Sequence, residues 1–258
     1  MTQDNAANVL RKARDLAEAG TTTAVVTVVR GPGLGAKLLI TDNATEGTLG
    51  EISLDRAAID IARERLPGGG SGLVSLPDEI DVFIDIHRPR PILAIIGAVH
   101  VAQAIQSFGQ SLGFRTVVAD ARESLANRDR FPAADQLIVA WPDDAIAQLA
   151  IDPSSSIVIL THDPKFDEPA INAALATDAG YIGAIGSRKT SAERRERLLS
   201  AGVNAEQVDR IHAPIGLDIG GRSPEEMAIS ILGEIIAERN GRSGGSLRAS
   251  AGRIRTGE

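Results

Sequence analysis

Hydrophobic positions along the chain alternate between two periods, and the switches mark out its elements. Over residues 4–18 the apolar side chains Val9, Leu10, Ala13, Leu16 and Ala17 recur at helical spacing, and Gly20 ends the run. Residues 21–29 are rich in β-branched side chains, which predicts a buried strand. Gly31, Pro32, Gly33, Leu34 and Gly35 follow as a flexible loop, either a lip over a ligand or a plain turn. A strand over 36–41, a polar turn, an extended piece at 47–50 and a helix over 54–66 come next. The glycine-rich stretch 67–72 turns the chain, and strands at 73–76 and 82–86 complete a small mixed α/β domain.

From residue 91 the pattern becomes strand, turn, helix, strand. Residues 91–96 are a short apolar run that Gly97 stops. Val101, Ile105, Phe108 and Leu112 then lie on one helical face, Gly113 closes the helix, and residues 114–119 form a second buried strand ending at Asp120. This is the first half of a parallel βαβ unit. Further strands are predicted at 136–141, 156–160 and 181–185. Helices are predicted from Pro142, over 168–177 and over 192–199. Ser223, Pro224, Glu225 and Glu226 combine an N-cap, a first-turn proline and a capping-box acid. They open a helix that reaches residue 239, and Ile229 and Leu232 widen its apolar surface enough for a dimer contact. Strands separated by such helices define an α/β chain. Its C-terminal part is a Rossmann-like parallel sheet with helices on both faces, preceded by the small mixed α/β domain. The expected boundaries are 1–88, 89–240 and a disordered glycine-, serine- and arginine-rich tail at 241–258.

Composition narrows the function classes. A formal net charge of -7 and a sequence pI near 5.2 give no general electrostatic reason to bind nucleic acid or an anionic membrane. There is no apolar run long enough to span a bilayer and no basic start leading into a signal core, so a soluble, cytoplasmic protein is expected. With no cysteine, disulfides, thiolate metal sites and cysteine nucleophiles are excluded. Histidines stand only at 87, 100, 162 and 212, so a metal has few ligands to draw on, and no metal set is assigned.

In a parallel sheet the loops beyond the carboxyl ends of the strands open onto one crevice. Those loops carry Gly97 with His100, Asp120 with Arg122, His162 with Asp163, and Gly186 with Ser187, Arg188 and Lys189. These ten residues are the candidate cofactor-binding set, and no catalytic residue is assigned. Asp120 stands 23 residues after Gly97, a separation suited to an acid that holds a ribose hydroxyl. The turn itself departs from the dinucleotide pattern, because Val99 occupies the position where a second glycine admits a pyrophosphate. Ordinary NAD(P) or FAD binding, a structural turn and a modified ligand site all stay open. Glycine, two cations and a helix start at 186–190 suit a phosphate or another anion, or simply form a solvated basic turn. His162 and Asp163 could move protons, bind a metal or be structural.

A longer series carries a resemblance. Gly97, His100, Val101 and Ala102 come first, then Asp120 and Arg122, Arg130 with Phe131 and Pro132, and Thr161 to Asp163 with Asp167. Tyr181 to Gly183, Gly186 to Arg188, the stretch 214–220, and Pro224, Glu225, Ala228, Ser230 and Glu234 complete it. In that order they resemble the XdhC/CoxI family, accessory proteins that mature molybdenum hydroxylases such as xanthine dehydrogenase and carbon monoxide dehydrogenase. A weaker match runs through Gly35, Ala36, Lys37 and residues 47–55. The resemblance implies a carrier rather than an enzyme. Such a carrier binds a molybdopterin-type molybdenum cofactor, with or without an appended nucleotide. It assists sulfuration with a cysteine desulfurase and delivers the cofactor to the apo hydroxylase. It also implies a homodimer. The chain departs from the family pattern at Val99, usually glycine, and in lacking the cysteines of the N-terminal glycine motifs; Asp55 stands where the family usually has glutamate.

Overall fold

The computed structural model describes residues 3–161 and 163–249, and the chain divides into two compact units at Arg90 and Pro91. The N-terminal unit contains α1 (Gln3–Glu18), β1 (Thr23–Arg30), β2 (Lys37–Ile40), β3 (Thr45–Gly47), α2 (Ile52–Arg65), β4 (Gly72–Leu76) and β5 (Ile80–His87). Its strands form an antiparallel sheet in the order β3-β2-β1-β5-β4. Central β1 is apolar on both sides because both faces are covered. Ala24, Val26 and Val28 join Leu38, Ile40, Val82 and Ile84 beneath Leu54, Ala58 and Ala62 of α2, while Val25 and Leu39 meet Val9, Ala13 and Leu16 of α1. Each such aliphatic side chain contributes about 1.5–3 kcal/mol on burial.

Two local expectations shift here. The 31–35 loop is the turn of the β1-β2 hairpin, in which Gly35 N–H donates to the Val28 carbonyl at 2.9 Å and Ala36 N–H to that of Gly33 at 2.8 Å. The extended piece lies at 45–47 rather than 47–50. A Cβ on Gly47 would stand 2.4 Å from the Lys37 carbonyl oxygen, so the ladder closes on a bare backbone there. Asp55 then accepts from Leu49 N–H at 2.6 Å and the Thr48 hydroxyl at 2.7 Å, folding residues 48–50 back onto the start of α2.

The C-terminal unit runs β6 (Ile92–Ile96), α3 (His100–Ser111), β7 (Arg115–Ala119), β8 (Gln136–Ile138), α4 (Pro142–Ala147), β9 (Ser156–Ile159), α5 (Pro164–Leu175), β10 (Tyr181–Ala184), α6 (Arg188–Ser200), α7 (Ala205–Asp209), β11 (Ile211–His212) and α8 (Pro224–Arg239). All six strands are parallel, in the order β11-β10-β9-β6-β7-β8. This is the strand order of doubly wound dinucleotide-binding sheets, with the reversal of winding between β6 and β9. Helices α4 to α7 cover one face over Ile92, Ile96, Ile157, Ile159 and Ile182. Helices α3 and α8 cover the other over Leu93, Ile95, Val118 and Val158.

Capping explains most of the boundary differences. Helix α5 begins four residues earlier than its apolar period suggests, because Asp163 accepts from Lys165 N–H at 3.0 Å and Pro164 takes the first position. Helix α6 also begins early. Ser187 and Thr190 form a reciprocal capping box, with threonine in the role usually taken by glutamate or glutamine. The third strand stops at Ile138, and Trp141 becomes the residue before α4, stacked on Phe166 at 4.9 Å.

Short α7 and two-residue β11 fill a stretch to which the sequence pattern assigns no element, and β11 exists only by pairing with β10. Leu232 is turned inward with Ala228, Ile231 and Ile235, leaving Ile229 and Ile236 on the outer side of α8. The stretch expected as a disordered tail is described through residue 249. Arg242 N–H donates to the Ala237 carbonyl, the Gly244 backbone packs on Leu217, and Leu247–Ala249 form a 3-10 turn. Residues 250–258 of that expectation, and His162, lie outside the described residues.

Candidate functional site

The crevice begins at the turn from β6 to α3. Gly97 has φ of 105°, and a Cβ on it would stand 3.2–3.4 Å from Thr161 and the Leu160 carbonyl carbon, so glycine lets the turn pass close over the end of β9. The first amides of this turn are engaged inside the fold. Gly97 N–H donates to the Ala119 carbonyl at 2.8 Å, and Ala98 N–H donates to Asp120 Oδ2 at 2.9 Å. Asp120 also accepts from the Arg122 amide (3.0 Å), Nε (2.9 Å) and Nη2 (2.9 Å). Burial pushes the Asp120 carboxyl pKa up, but the Arg122 fork and the two amides outweigh it and hold the value below the ordinary carboxylate range. Arg130 braces the turn from the other side, donating to the Ala98 and Leu125 carbonyls at 2.7 and 3.1 Å. Val99 is the residue before α3 and packs against the α3/α8 core, while His100 is exposed in the first turn of α3.

A second polar assembly lies at the carboxyl end of β10. Arg194 of α6 and Asp167 of α5 form an ion pair with both side chains only 5% exposed. Nε and Nη2 donate to Oδ2 at 3.0 and 2.6 Å, Thr161 Oγ1 donates to Oδ1 at 3.1 Å, and Nη2 also reaches the Ile185 carbonyl at 3.0 Å. A cavity of about 470 Å³ opens beside this pair, lined in part by Ile185, Gly186, Ser187, Thr190, Arg194 and Met227. Asp167, Glu193 and Arg197 also face it, so its charges are mixed. Arg197 pairs with Glu168 at 2.8 Å and Lys189 with Glu193 at 3.9 Å.

A third cluster joins the far strands of the sheet to α8. Tyr181 Oη and Gly216 N–H both donate to Glu234 Oε2, at 2.5 and 2.8 Å. His212 stacks on the Tyr181 ring at 4.6 Å, with its Nδ1 3.8 Å from Glu234 Oε1. The Glu234 carboxylate raises the His212 pKa, with burial opposing it. Burial raises the Tyr181 pKa, and Glu234 raises it further. Burial pushes Glu234 up, but His212, Tyr181 and the Gly216 amide bring it below its ordinary value. The group fastens the 212–217 segment to α8.

The structure divides the nine described candidate residues, all but His162, among different roles. Gly186 and Ser187 line the cavity, and Arg188 and Lys189 are exposed at the start of α6. Gly97, Asp120 and Arg122 form the braced turn, His100 stands exposed beside it, and Asp163 caps α5. Sequence reasoning missed Ser191 and Arg194. Leu198 is the one buried apolar residue of this highly charged helix, too little to orient it from the sequence, although Arg194 and Ser191 lie one and two turns before it. Among the described residues no three His, Cys, Asp or Glu side chains gather as a metal site.

Fold and site together define a two-unit α/β protein whose C-terminal unit is a doubly wound sheet with a cavity of mixed charged and apolar lining at its carboxyl edge. The XdhC Rossmann domain matches residues 93–235, and the XdhC and CoxI family pattern matches residues 16–77. The chain belongs to the XdhC and CoxI family. A protein of Bacillus subtilis (strain 168) described as a probable xanthine dehydrogenase component is 33% identical, over 62% of this chain and 46% of that protein. The molybdenum cofactor insertion chaperone PaoD of Escherichia coli (strain K12) is 30% identical, over 48% of this chain and 38% of that one. The chain thus spans less than half the length of these curated relatives. A solved structure described as a xanthine dehydrogenase from Bacillus halodurans superposes with a TM-score of 0.71 and 28% identity, covering 91% of this chain and 67% of that one.

Proposed function

We propose that this protein assists the maturation of a molybdenum hydroxylase by binding a molybdopterin-type molybdenum cofactor and handing it to the apo enzyme. The observation that carries the reading is the roughly 470 Å³ cavity at the carboxyl end of β10 in a chain of this family. It supplies donors suited to a phosphate-bearing guest, with Gly186 and Ser187 at the start of a 13-residue helix and Arg194 at its wall. The 30% identity to a molybdenum cofactor insertion chaperone supports the same reading. With no cysteine in the chain, sulfur for the cofactor has to come from a partner such as a cysteine desulfurase. The role is that of a carrier, acting as a homodimer.

Calorimetric titration with molybdopterin under anoxic, reducing conditions tests the binding. Saturation at tens of micromolar supports it, and no heat up to that concentration overturns it. Deleting the gene and assaying molybdenum in the cell's hydroxylase tests delivery, and unchanged loading defeats the carrier role. Light scattering should give about twice 27.0 kDa for the homodimer. The NAD(P) reading has less support, because both Asp120 oxygens already serve the protein's own donors where a ribose acceptor would be needed.

A further inference from the structure

The polar atoms around Gly186 do not balance within the protein. Arg194 is 4% exposed, and two of its three guanidinium nitrogens are satisfied by Asp167 and the Ile185 carbonyl. The third, Nη1, is buried with no hydrogen-bond partner. Ser191 Oγ, one helical turn earlier on α6, is buried and unpartnered as well. Both border one spot. The position a Cβ on Gly186 would occupy lies 3.4 Å from Ser191 Oγ, 3.4 Å from Thr190 Oγ1 and 3.7 Å from Arg194 Nη1. Gly186 therefore sets bare backbone beside two hydroxyls and a guanidinium arm; Gly186, Thr190 and Arg194 line the larger cavity, and Ser191 and Arg194 also line a smaller one of about 70 Å³.

An unpaired buried donor costs about 1–3 kcal/mol, and the fold shows no gain for bearing two such groups. A ligand oxygen would satisfy both. It must be an acceptor, because the guanidinium N–H can only donate and the Ser191 hydroxyl is free to donate, and the cationic guanidinium favours an anionic one. Helix α6 adds its positive end, and the capping box does not use the amides of Arg188 and Lys189. Asp167 and Glu193 also line the cavity, so the anion is confined to the Gly186 side, where Asp167 is neutralised by Arg194.

We infer that Ser191 and the unpartnered arm of Arg194, beside Gly186, form a phosphate-ester subsite. The inference rests on the cofactor reading only for what bears the phosphate. Inorganic phosphate is the first probe, titrated calorimetrically into the intact chain. Wild type should bind with a dissociation constant of about 1 mM or tighter. Ser191→Ala removes no existing hydrogen bond and should fold normally while weakening phosphate about tenfold. Arg194→Lys keeps a cation beside Asp167 but loses the second arm, and should weaken phosphate at least as much. Thermal melting of both variants verifies that they are folded.

No phosphate binding by wild type at about 10 mM, or equal binding by wild type and both folded variants, overturns the subsite. Molybdopterin is the second probe. If it binds wild type and variants equally, the subsite is wrong and the cofactor reading stands. If phosphate binding depends on Ser191 and Arg194 while molybdopterin does not bind, the subsite stands and the cofactor reading fails.

Discussion

Replacing Arg194 with methionine isolates the contribution of the buried ion pair to the C-terminal unit. The substitution keeps an unbranched side chain of similar reach in α6 but removes three hydrogen bonds, two to Asp167 Oδ2 and one to the Ile185 carbonyl. It leaves the Asp167 carboxylate, 5% exposed, with the Thr161 hydroxyl as its described partner. Stranding one member of such a pair costs about 3–5 kcal/mol, far above the roughly 0–1 kcal/mol of a surface pair. For a unit of this size each kcal/mol lowers Tm by about 2–4 °C, so Arg194→Met should melt about 6–20 °C lower.

Urea unfolding followed by fluorescence of Trp141, the chain's single tryptophan, reads this unit because Trp141 is stacked on Phe166 within it. The midpoint should fall with little change in slope. Adding Asp167→Leu to Arg194→Met should recover at least half of the loss, since an apolar pair of similar volume is nearly neutral where a lone charge is not. A single-variant loss below about 1 kcal/mol, or no recovery in the double variant, would refute the reasoning.

Three further outcomes are expected. The raised His212 pKa contributes stability that is fully present below the unfolded value of about 6.5 and is lost as pH rises through the folded value. The unit should therefore weaken between neutral and alkaline pH, and His212→Gln should flatten that slope in urea midpoints measured across pH. Asp120 acts in the opposite sense. Its lowered pKa gives stability present above about 3.9 and lost as pH falls through the folded value, so Asp120→Asn should show a shallower acid limb in the same assay. Gly183→Ala would set a Cβ 2.4 Å from Ile215 Cδ1 and 2.8 Å from the Tyr181 ring, and should cost about 1–3 kcal/mol in urea unfolding; a neutral result would mean that the 212–217 segment yields freely.

The sequence by itself determined the elements whose signal is local. The apolar run 92–96, the glycine at 97 and the Ser223 capping box of α8 appear where the pattern puts them, and α3 buries Val101 and Ile105 of its expected face, while Leu112 falls just past the helix and is exposed. It also determined that polar residues gather beyond the strand ends, because parallel strands deliver their following loops to one edge. What it left open were the directions of polar side chains and the ends of helices held by unfamiliar caps. Asp120 sits where a ribose acid would, but whether its oxygens face a ligand or the protein depends on Arg122 and the Ala98 amide, and only the folded turn brings those to it. In α6 hydrophobicity is too sparse to orient the helix, so Ser191 and Arg194 look solvated until Asp167, from a different helix, closes over the guanidinium. Two-residue β11 has no period to detect and exists because β10 offers it an edge. Apolar burial is averaged over a face and therefore shows in the sequence, whereas a hydrogen bond is a single pairing between distant residues, decided only when the chain has folded.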